Sequence, residues 1–220
     1  VGLPGPAIGH INMFLGHSDT GKTTAMIKTA VDAQKKEILP VFIITEQKWS
    51  FEHSKLMGLQ CDEVVDQETG ELDWDGFFIF NNNFDYIEQI TDYINQLLDA
   101  QEKGELDYSL CFLWDSVGSI PCDMSIEQGK NNPMWNAGAM SQQFGNFINQ
   151  KFPMSRKESY QFTNTFFVIN KVGVQPALTP MSQPRMTNKG GNTMYWDASL
   201  VITFGNVTNS GTSKIHAQNK

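Results

Sequence analysis

The sequence predicts an α/β domain in which a mainly parallel, twisted sheet is flanked by helices. Short apolar runs of the kind found in buried strands alternate with longer segments of helical periodicity. A glycine-rich turn follows the first apolar run and opens the first helical segment. No linker-like stretch divides the 220 residues, so we expect a single domain over residues 1–220.

The predicted strands are apolar runs that are almost free of charge. They are residues 11–16, 40–45, 77–80, 109–116, 164–170 and 199–204. Residues 23–36 and 86–103 are predicted helices. The second helix has one apolar stripe at helical spacing. It consists of Ile87, Ile90, Ile94, Leu97 and Leu98.

Composition and charge exclude several classes of protein. The formal net charge of −8 argues against a protein coated in positive charge, although a local basic patch can still bind nucleic acid. Cys61, Cys111 and Cys122 include no CxxC pair, which predicts neither a disulfide framework nor a zinc site. The sequence has no apolar run of transmembrane length and no signal peptide. We therefore expect a cytoplasmic protein with no membrane partner.

The segment "GHSDTGKT" at 16–23 matches the phosphate-loop pattern G-x-x-x-x-G-K-[ST] between a predicted strand and a predicted helix. Its glycines let backbone N–H groups turn toward phosphate oxygens, and the helix N-terminus adds a positive dipole end. Lys22 can reach the β- and γ-phosphates of a nucleotide, and the Thr23 hydroxyl can hold Mg²⁺. The other interpretation is a chance match in a glycine-containing turn. The predicted nucleotide ligands in this segment are Gly16, His17, Ser18, Asp19, Thr20, Gly21, Lys22, Thr23 and Thr24.

Two acidic residues stand directly after buried-strand runs. Asp115 ends "CFLWD", where it can hold Mg²⁺ beside the phosphate loop or merely cap the next segment. Glu46 ends "VFIITE", where it can polarise water for attack on a γ-phosphate or be a solvated charge. We therefore predict Thr23 and Asp115 as metal ligands and Glu46 and Lys22 as catalytic residues.

Five segments of the chain occur in an order typical of one family of ATPases. They are "LPGPAIGHINMFLGHSDTGKTTA", "VFIITEQ", "LCFLWDSVGSIP", "FFVINKVGV" and "GGNTMYWDASLVITF". Together they resemble the ATPase core of the RecA recombinase family over nearly the whole chain. Many ATPases share the phosphate loop, whereas the "GGN…Y…AS" segment after a long loop is far more particular to RecA. The resemblance implies a RecA-like P-loop fold, ATP and Mg²⁺ as cofactors, and the cytoplasm of a bacterial or phage-infected cell.

The resemblance also implies roles for particular positions. Glu46 matches the catalytic glutamate, Asp115 the Walker B aspartate, and residues 124–140 the first DNA-binding loop. Lys220 matches the second of two lysines that reach the neighbouring subunit's ATP, whereas Gln218 stands where the first would be. We expect residues 1–220 to be the core alone, without the family's N-terminal oligomerisation segment and C-terminal domain.

Residues 170–192 match the second DNA-binding loop of the family and contain no Asp or Glu. Phosphates repel carboxylates, so an acid-free segment suits a DNA-facing loop, although an ordinary surface loop is the alternative. Prolines and a Gly-Gly pair predict neither a helix nor a central strand here. In RecA an Asn-Gln pair begins this loop, and its Gln senses the γ-phosphate. Here the pair is Asn170–Lys171, and Lys171 can still meet a phosphate.

The predicted DNA ligands are Lys171, Arg185, Lys189, Gly190, Gly191 and Asn192. Met181 and Met186 are candidates for wedging between bases. Trp135 is open to base stacking or to helix packing. Tyr195 and Trp196 are expected to be core residues of the last strand.

The resemblance implies an ATP-dependent recombinase that binds single-stranded DNA as a filament and pairs it with duplex DNA, with DNA-stimulated ATP hydrolysis. A hexameric DnaB-like helicase would instead form a ring. It would need an arginine finger, and Arg156 and Arg185 are the chain's only arginines. A non-catalytic paralogue that acts as a mediator is the third possibility, favoured by Lys171 and Gln218. We expect self-association as a filament or a ring.

Overall fold

The computed structural model describes residues 5–46, 48–65, 70, 72–123, 138, 142, 160–175, 185–188 and 193–205, with the backbone alone at 174–175, 185–188 and 193. The strands are β1 (Ile11–Gly16), β2 (Leu39–Ile44), β3 (Cys61–Val65), β4 (Leu72–Gly76), β5 (Ile79–Asn81), β6 (Leu110–Asp115), β7 (Thr165–Gln175), β8 (Arg185–Asn188) and β9 (Leu200–Phe204). The helices are α1 (Lys22–Gln34), α2 (Phe51–Leu56), α3 (Ile87–Glu102) and α4 (Thr193–Asp197), with a 3₁₀ turn at Val117–Ser119.

The main sheet confirms the predicted α/β class and its parallel character. Its strands lie in the order β5-β2-β6-β7-β1-β9, and every neighbouring pair along this path is parallel. β8 runs antiparallel to the far half of β7, and β3 and β4 form a separate two-stranded sheet. Because all six parallel strands point the same way, their carboxyl ends meet at one edge.

Apolar side chains cover both faces of this sheet because successive strand residues point to opposite sides. Met13 belongs to the core on the α3 face, whereas its neighbour Phe14 belongs to the core on the α1 face. The stripe predicted for the second helix packs as expected, with Ile87 and Ile94 fully buried. Two-sided burial explains why the central strands read as continuous apolar runs rather than alternating ones.

The element boundaries differ from the predicted ones by a few residues. Strand β5 begins at Ile79 rather than at residue 77. The cause is a turn in which the Phe78 N–H donates to the Gly76 carbonyl at 2.9 Å. The hairpin of β3 and β4 was not predicted from the sequence. Its exposed residues include many acids, so it lacks the apolar run of a buried strand.

Two predictions for the later part of the chain are wrong. The segment expected to be irregular is partly a hairpin, since β7 continues to Gln175 and pairs in register with β8. Tyr195 and Trp196 are not core residues of the last strand. They lie on α4 and are 39% and 75% exposed, because Met194 is the residue that turns into the core among those of this short helix whose side chains are described.

Among the described residues, no helix combines the length and the apolar character needed to cross a membrane.

Candidate nucleotide-binding site

The residues predicted to act on a nucleotide meet at the carboxyl edge of the sheet. Gly16, the last residue of β1, lies beside Lys171 of β7. Ile44, the last residue of β2, lies beside Asp115 of β6, so Glu46 follows just beyond that pair. Parallel pairing in this register brings together side chains that are far apart in the sequence.

The phosphate loop connects β1 to α1 and contains two glycines. Gly16 is required for lack of space, and Gly21 is favoured for its backbone conformation. A Cβ on Gly16 would lie 2.6 Å from the Phe204 carbonyl oxygen, so only glycine allows β1 and β9 to pair this closely. Gly21 caps α1 in the left-handed region at φ 90°, which favours glycine. No side chain caps the helix, and its first turn contains no acid. The first N–H groups of α1 therefore remain available for an anion.

Lys22 is buried beneath the loop and turned back onto it. Its Nζ donates to the His17 carbonyl and lies 3.4 Å from Thr20 Oγ1, while Thr20 Oγ1 donates to the same carbonyl at 2.9 Å. Burial lowers the pKa of Lys22 below its usual value, against the attraction of Asp115. The ammonium is thus partly desolvated and held by a neutral acceptor, which an incoming anion can replace.

Thr23 and Asp115 form the candidate metal pair. Thr23 Oγ1 donates to Asp115 Oδ2 at 2.6 Å. Burial raises the pKa of Asp115, and nearby Glu46 adds to this rise, whereas the bond from Thr23 opposes it. Within the described residues, no three His, Cys, Asp or Glu side chains form a complete metal cage. One carboxylate and one hydroxyl suit Mg²⁺, which keeps several waters and takes further ligands from phosphates.

Glu46 is held by contacts from two other strands. Its Oε1 lies 2.7 Å from Lys171 Nζ and accepts a hydrogen bond from Ser116 Oγ at 2.5 Å. Burial acts to raise the pKa of Glu46, but the bonds from Lys171 and Ser116 outweigh it and hold that pKa below its usual value. Glu46 is therefore an ionised carboxylate at neutral pH, which is the form that a general base requires.

These side chains line one open cleft at the carboxyl edge of the sheet. Three cations face it, namely Lys22, Lys48 and Lys171. Three carboxylates balance them, namely Asp19, Glu46 and Asp115. Without a further cation, a polyanion here would meet as much repulsion as attraction.

The predicted ligands divide according to their place in the fold. Ser18, Asp19, Lys22 and Thr23 line the cleft with Asp115 and Lys171. The remaining loop residues belong to the loop or to the first turn of α1 without lining the cleft. They are Gly16, His17, Thr20, Gly21 and Thr24.

Several predictions fall outside the described residues, so their positions are not assigned. They are Lys189, Gly190, Gly191, Asn192, Lys220, Trp135 and Met181. Arg185 and Met186 are described only as backbone in β8.

Sequence reasoning missed three residues of the site. Lys48 and Trp49 line the cleft shortly after Glu46, and Ser116 holds Glu46. Ser116 could have been predicted from the sequence, because a hydroxyl directly after a buried strand lies at the same edge of the sheet as Glu46. Trp49 gave none, since its position depends on packing against Phe42 at a ring-centroid distance of 4.8 Å.

No protein-family model matches this sequence, and no curated protein matches it either. The RecA resemblance therefore depends on the motifs themselves.

Proposed function

We propose that this protein binds ATP with Mg²⁺ and hydrolyses it, and that single-stranded DNA stimulates the reaction, as in a RecA-type recombinase. One observation carries the proposal: a phosphate loop, a hydroxyl–carboxylate pair and an ionised glutamate converge on one cleft. A phosphate loop alone indicates only nucleotide binding. Glu46 is the group that distinguishes hydrolysis from binding.

The residues of the cleft divide the work of phosphoryl transfer to water. The N–H groups at the start of α1 and the Lys22 ammonium bind the phosphates. Thr23 and Asp115 would hold Mg²⁺, and the bound ion would supply positive charge to the phosphate oxygens. Bound Mg²⁺ would also add positive charge to a cleft in which the lysines and the carboxylates are equal in number. Glu46 orients the attacking water and accepts its proton.

The DNA part of the proposal depends on β7, which carries Lys171 into the cleft and then continues beyond the edge of the main sheet. Lys171 contacts Glu46, and the next residues of β7 pair with β8 beyond the sheet edge. A change at Lys171 would therefore act directly on the base of this hairpin. The acid-free composition of residues 170–192 suits contact with a nucleic acid backbone. Repetition of few cations along a filament would raise the affinity through multivalency.

One observation favours the alternative of a non-catalytic mediator. Lys171 occupies an oxygen of Glu46 at 2.7 Å, so a binding protein that never hydrolyses ATP would show the same contact. A ring helicase has no comparable support among the described residues.

The deciding experiment measures ATP turnover by the wild-type protein at increasing concentrations of single-stranded DNA, beside ATP binding. We expect turnover that rises with DNA. Glu46→Gln keeps the shape of the side chain and should reduce turnover by about 100-fold or more while ATP still binds. ATP binding with no turnover by the wild type would favour the mediator. Turnover unchanged in Glu46→Gln would refute the catalytic assignment.

A further inference from the structure

A hydroxyl group outside the predicted ligand set restrains the carboxylate of Glu46. Ser116 Oγ and Lys171 Nζ both contact Oε1, at 2.5 and 2.7 Å. Neither contact involves Oε2. The two carboxylate oxygens are therefore in different environments, one held by the protein and the other not used by either restraint.

Ser116 is itself fixed by its neighbours. It is fully buried, and its N–H donates to Thr45 Oγ1 at 3.0 Å. Its carbonyl oxygen accepts from Thr45 Oγ1 at 2.9 Å and from Ser119 Oγ at 2.7 Å. The Thr45 and Ser119 hydroxyls also lie 2.8 Å apart. Ser116 is thus held at its N–H, its carbonyl and its hydroxyl.

This hydroxyl network also locks together the ends of two strands. The Thr45 N–H donates to the Asp115 carbonyl at 2.8 Å, which continues the pairing of β2 with β6 by one residue. Thr45 precedes Glu46, and Ser116 follows Asp115. The network therefore fixes the backbone at the ends of β2 and β6, directly before Glu46 and directly after Asp115.

We propose that Ser116 is a positioning residue for Glu46: Thr45 and Ser119 hold its backbone, and its hydroxyl fixes Oε1 and leaves Oε2 to accept a proton from water. The effect of this restraint of Glu46 on catalysis rests on the proposed ATPase function. The restraint itself is independent of that function and can be measured without turnover.

A purely structural role for Ser116 predicts that removal of its hydroxyl leaves the titration of Glu46 unchanged. Buried serines commonly bond to backbone carbonyls, and Ser54 is such a residue in this protein. It is also fully buried, and its Oγ donates to the Ser50 carbonyl at 2.8 Å. Ser54→Ala is therefore a matched control, because it removes a buried hydroxyl without removing a contact to Glu46.

The first test follows the titration of Glu46 by ¹³C NMR of its side-chain carboxyl carbon, with Glu46→Gln identifying the signal. Lys171 and Lys48 favour the charged form, and Asp115 and Lys22 interact with Glu46 across the cleft. Ser116→Ala removes one bond that stabilises the carboxylate, so Glu46 should titrate at higher pH than in the wild type. Ser54→Ala should leave the titration unchanged. An unshifted Glu46 in Ser116→Ala would overturn the proposal, whether or not the protein hydrolyses ATP.

The second test separates positioning from binding in steady-state ATP hydrolysis. We expect Ser116→Ala to lower kcat about tenfold, as for loss of one hydrogen bond to a charged group, with little change in KM. Thr45→Ser keeps the hydroxyl that holds Ser116 and should retain activity, whereas Thr45→Val should behave like Ser116→Ala. A kcat within about twofold of the wild type in Ser116→Ala would contradict the catalytic role. A wild-type protein without turnover would refute the proposed function instead, and the titration would still decide the restraint.

Discussion

The two edges of the main sheet both contain buried polar side chains, but they use them differently. At the amino edge, Gln101 and Asn164 bond to each other through both amides, at 3.0 and 2.7 Å. Asn164 Oδ1 also accepts from the Leu110 N–H at 2.8 Å, and Gln101 donates to the Tyr108 carbonyl. This network is neutral and satisfied within the protein. It ties α3 to the starts of β6 and β7.

At the carboxyl edge, the buried polar groups include the charged side chains of Lys22 and Asp115. Lys22 donates to the His17 carbonyl of the loop, and Thr23 donates to Asp115. Burying charge is unfavourable unless it is paired, so an arrangement of this kind lowers stability in exchange for affinity toward a charged ligand. The comparison indicates that the amino edge stabilises the fold, whereas the carboxyl edge is where the proposed reaction would take place.

The largest effect is expected from removal of the buried cation in the phosphate loop. Lys22→Ala should reduce kcat/KM for ATP by about 100-fold or more, because a preorganised charge at the phosphates is lost. The control is Lys35→Ala, which removes an exposed lysine at the other end of α1 that pairs with Asp32. Near-normal kcat/KM in Lys22→Ala would show that the phosphates bind elsewhere.

Asp115→Asn should change ATP turnover and the free energy of unfolding in opposite directions. We expect turnover to fall about tenfold or more as metal binding weakens. The pKa of Asp115 is raised on folding, so at neutral pH its charge destabilises the native state. Asparagine removes that charge, so the free energy of unfolding should rise. The gain should be complete above the raised pKa and disappear as the pH falls toward the ordinary value of 3.8.

Urea unfolding at several pH values checks this second prediction, with exposed Asp32→Asn as the control. A variant that is less stable than the wild type at neutral pH would mean that Asp115 contributes to the fold as the amino-edge amides do. The contrast between the two edges would then fail.

The amino edge should show the opposite pattern. Asn164→Ala leaves the Leu110 N–H and the amide of Gln101 without their partner, which should lower the free energy of unfolding by about 1–3 kcal/mol. ATP turnover per folded molecule should stay unchanged. Exposed Asn83→Ala is the matched control for stability. A selective loss of turnover in folded Asn164→Ala would show that the amino edge also acts on the reaction.

The smallest effect is expected from Lys171→Gln, which substitutes the residue type of the resembled family. The ion pair with Glu46 is lost, so the ratio of turnover with and without single-stranded DNA should change by a few-fold. The control Lys48→Gln removes a cation from the same cleft that has no hydrogen bond to Glu46. An unchanged ratio in Lys171→Gln would exclude Lys171 from the coupling.

Local sequence was sufficient for the α/β class and for most of the charged groups of the cleft, but not for Lys48, Trp49 or Ser116. Continuous apolar runs predicted β1, β2, β6 and β7 because these strands are buried on both faces. The spacing of the phosphate loop placed Lys22 and Thr23 at the start of a helix. Hairpins were harder to predict. The strands β3 and β4 are exposed and acidic, and β8 pairs with β7 residues that lie 10 to 16 positions earlier in the sequence.

The sequence by itself determined which chemical groups this protein carries: a phosphate loop, acids at strand ends and an acid-free segment that begins within β7. These are local features, set by neighbouring residues and by the need to bury apolar runs. Only the tertiary structure decided which groups meet. The strand order β5-β2-β6-β7-β1-β9 places Lys171 and Ser116 on the same oxygen of Glu46, although they lie far apart in the chain. Strand order and register depend on the packing of the whole sheet, and no short segment encodes them.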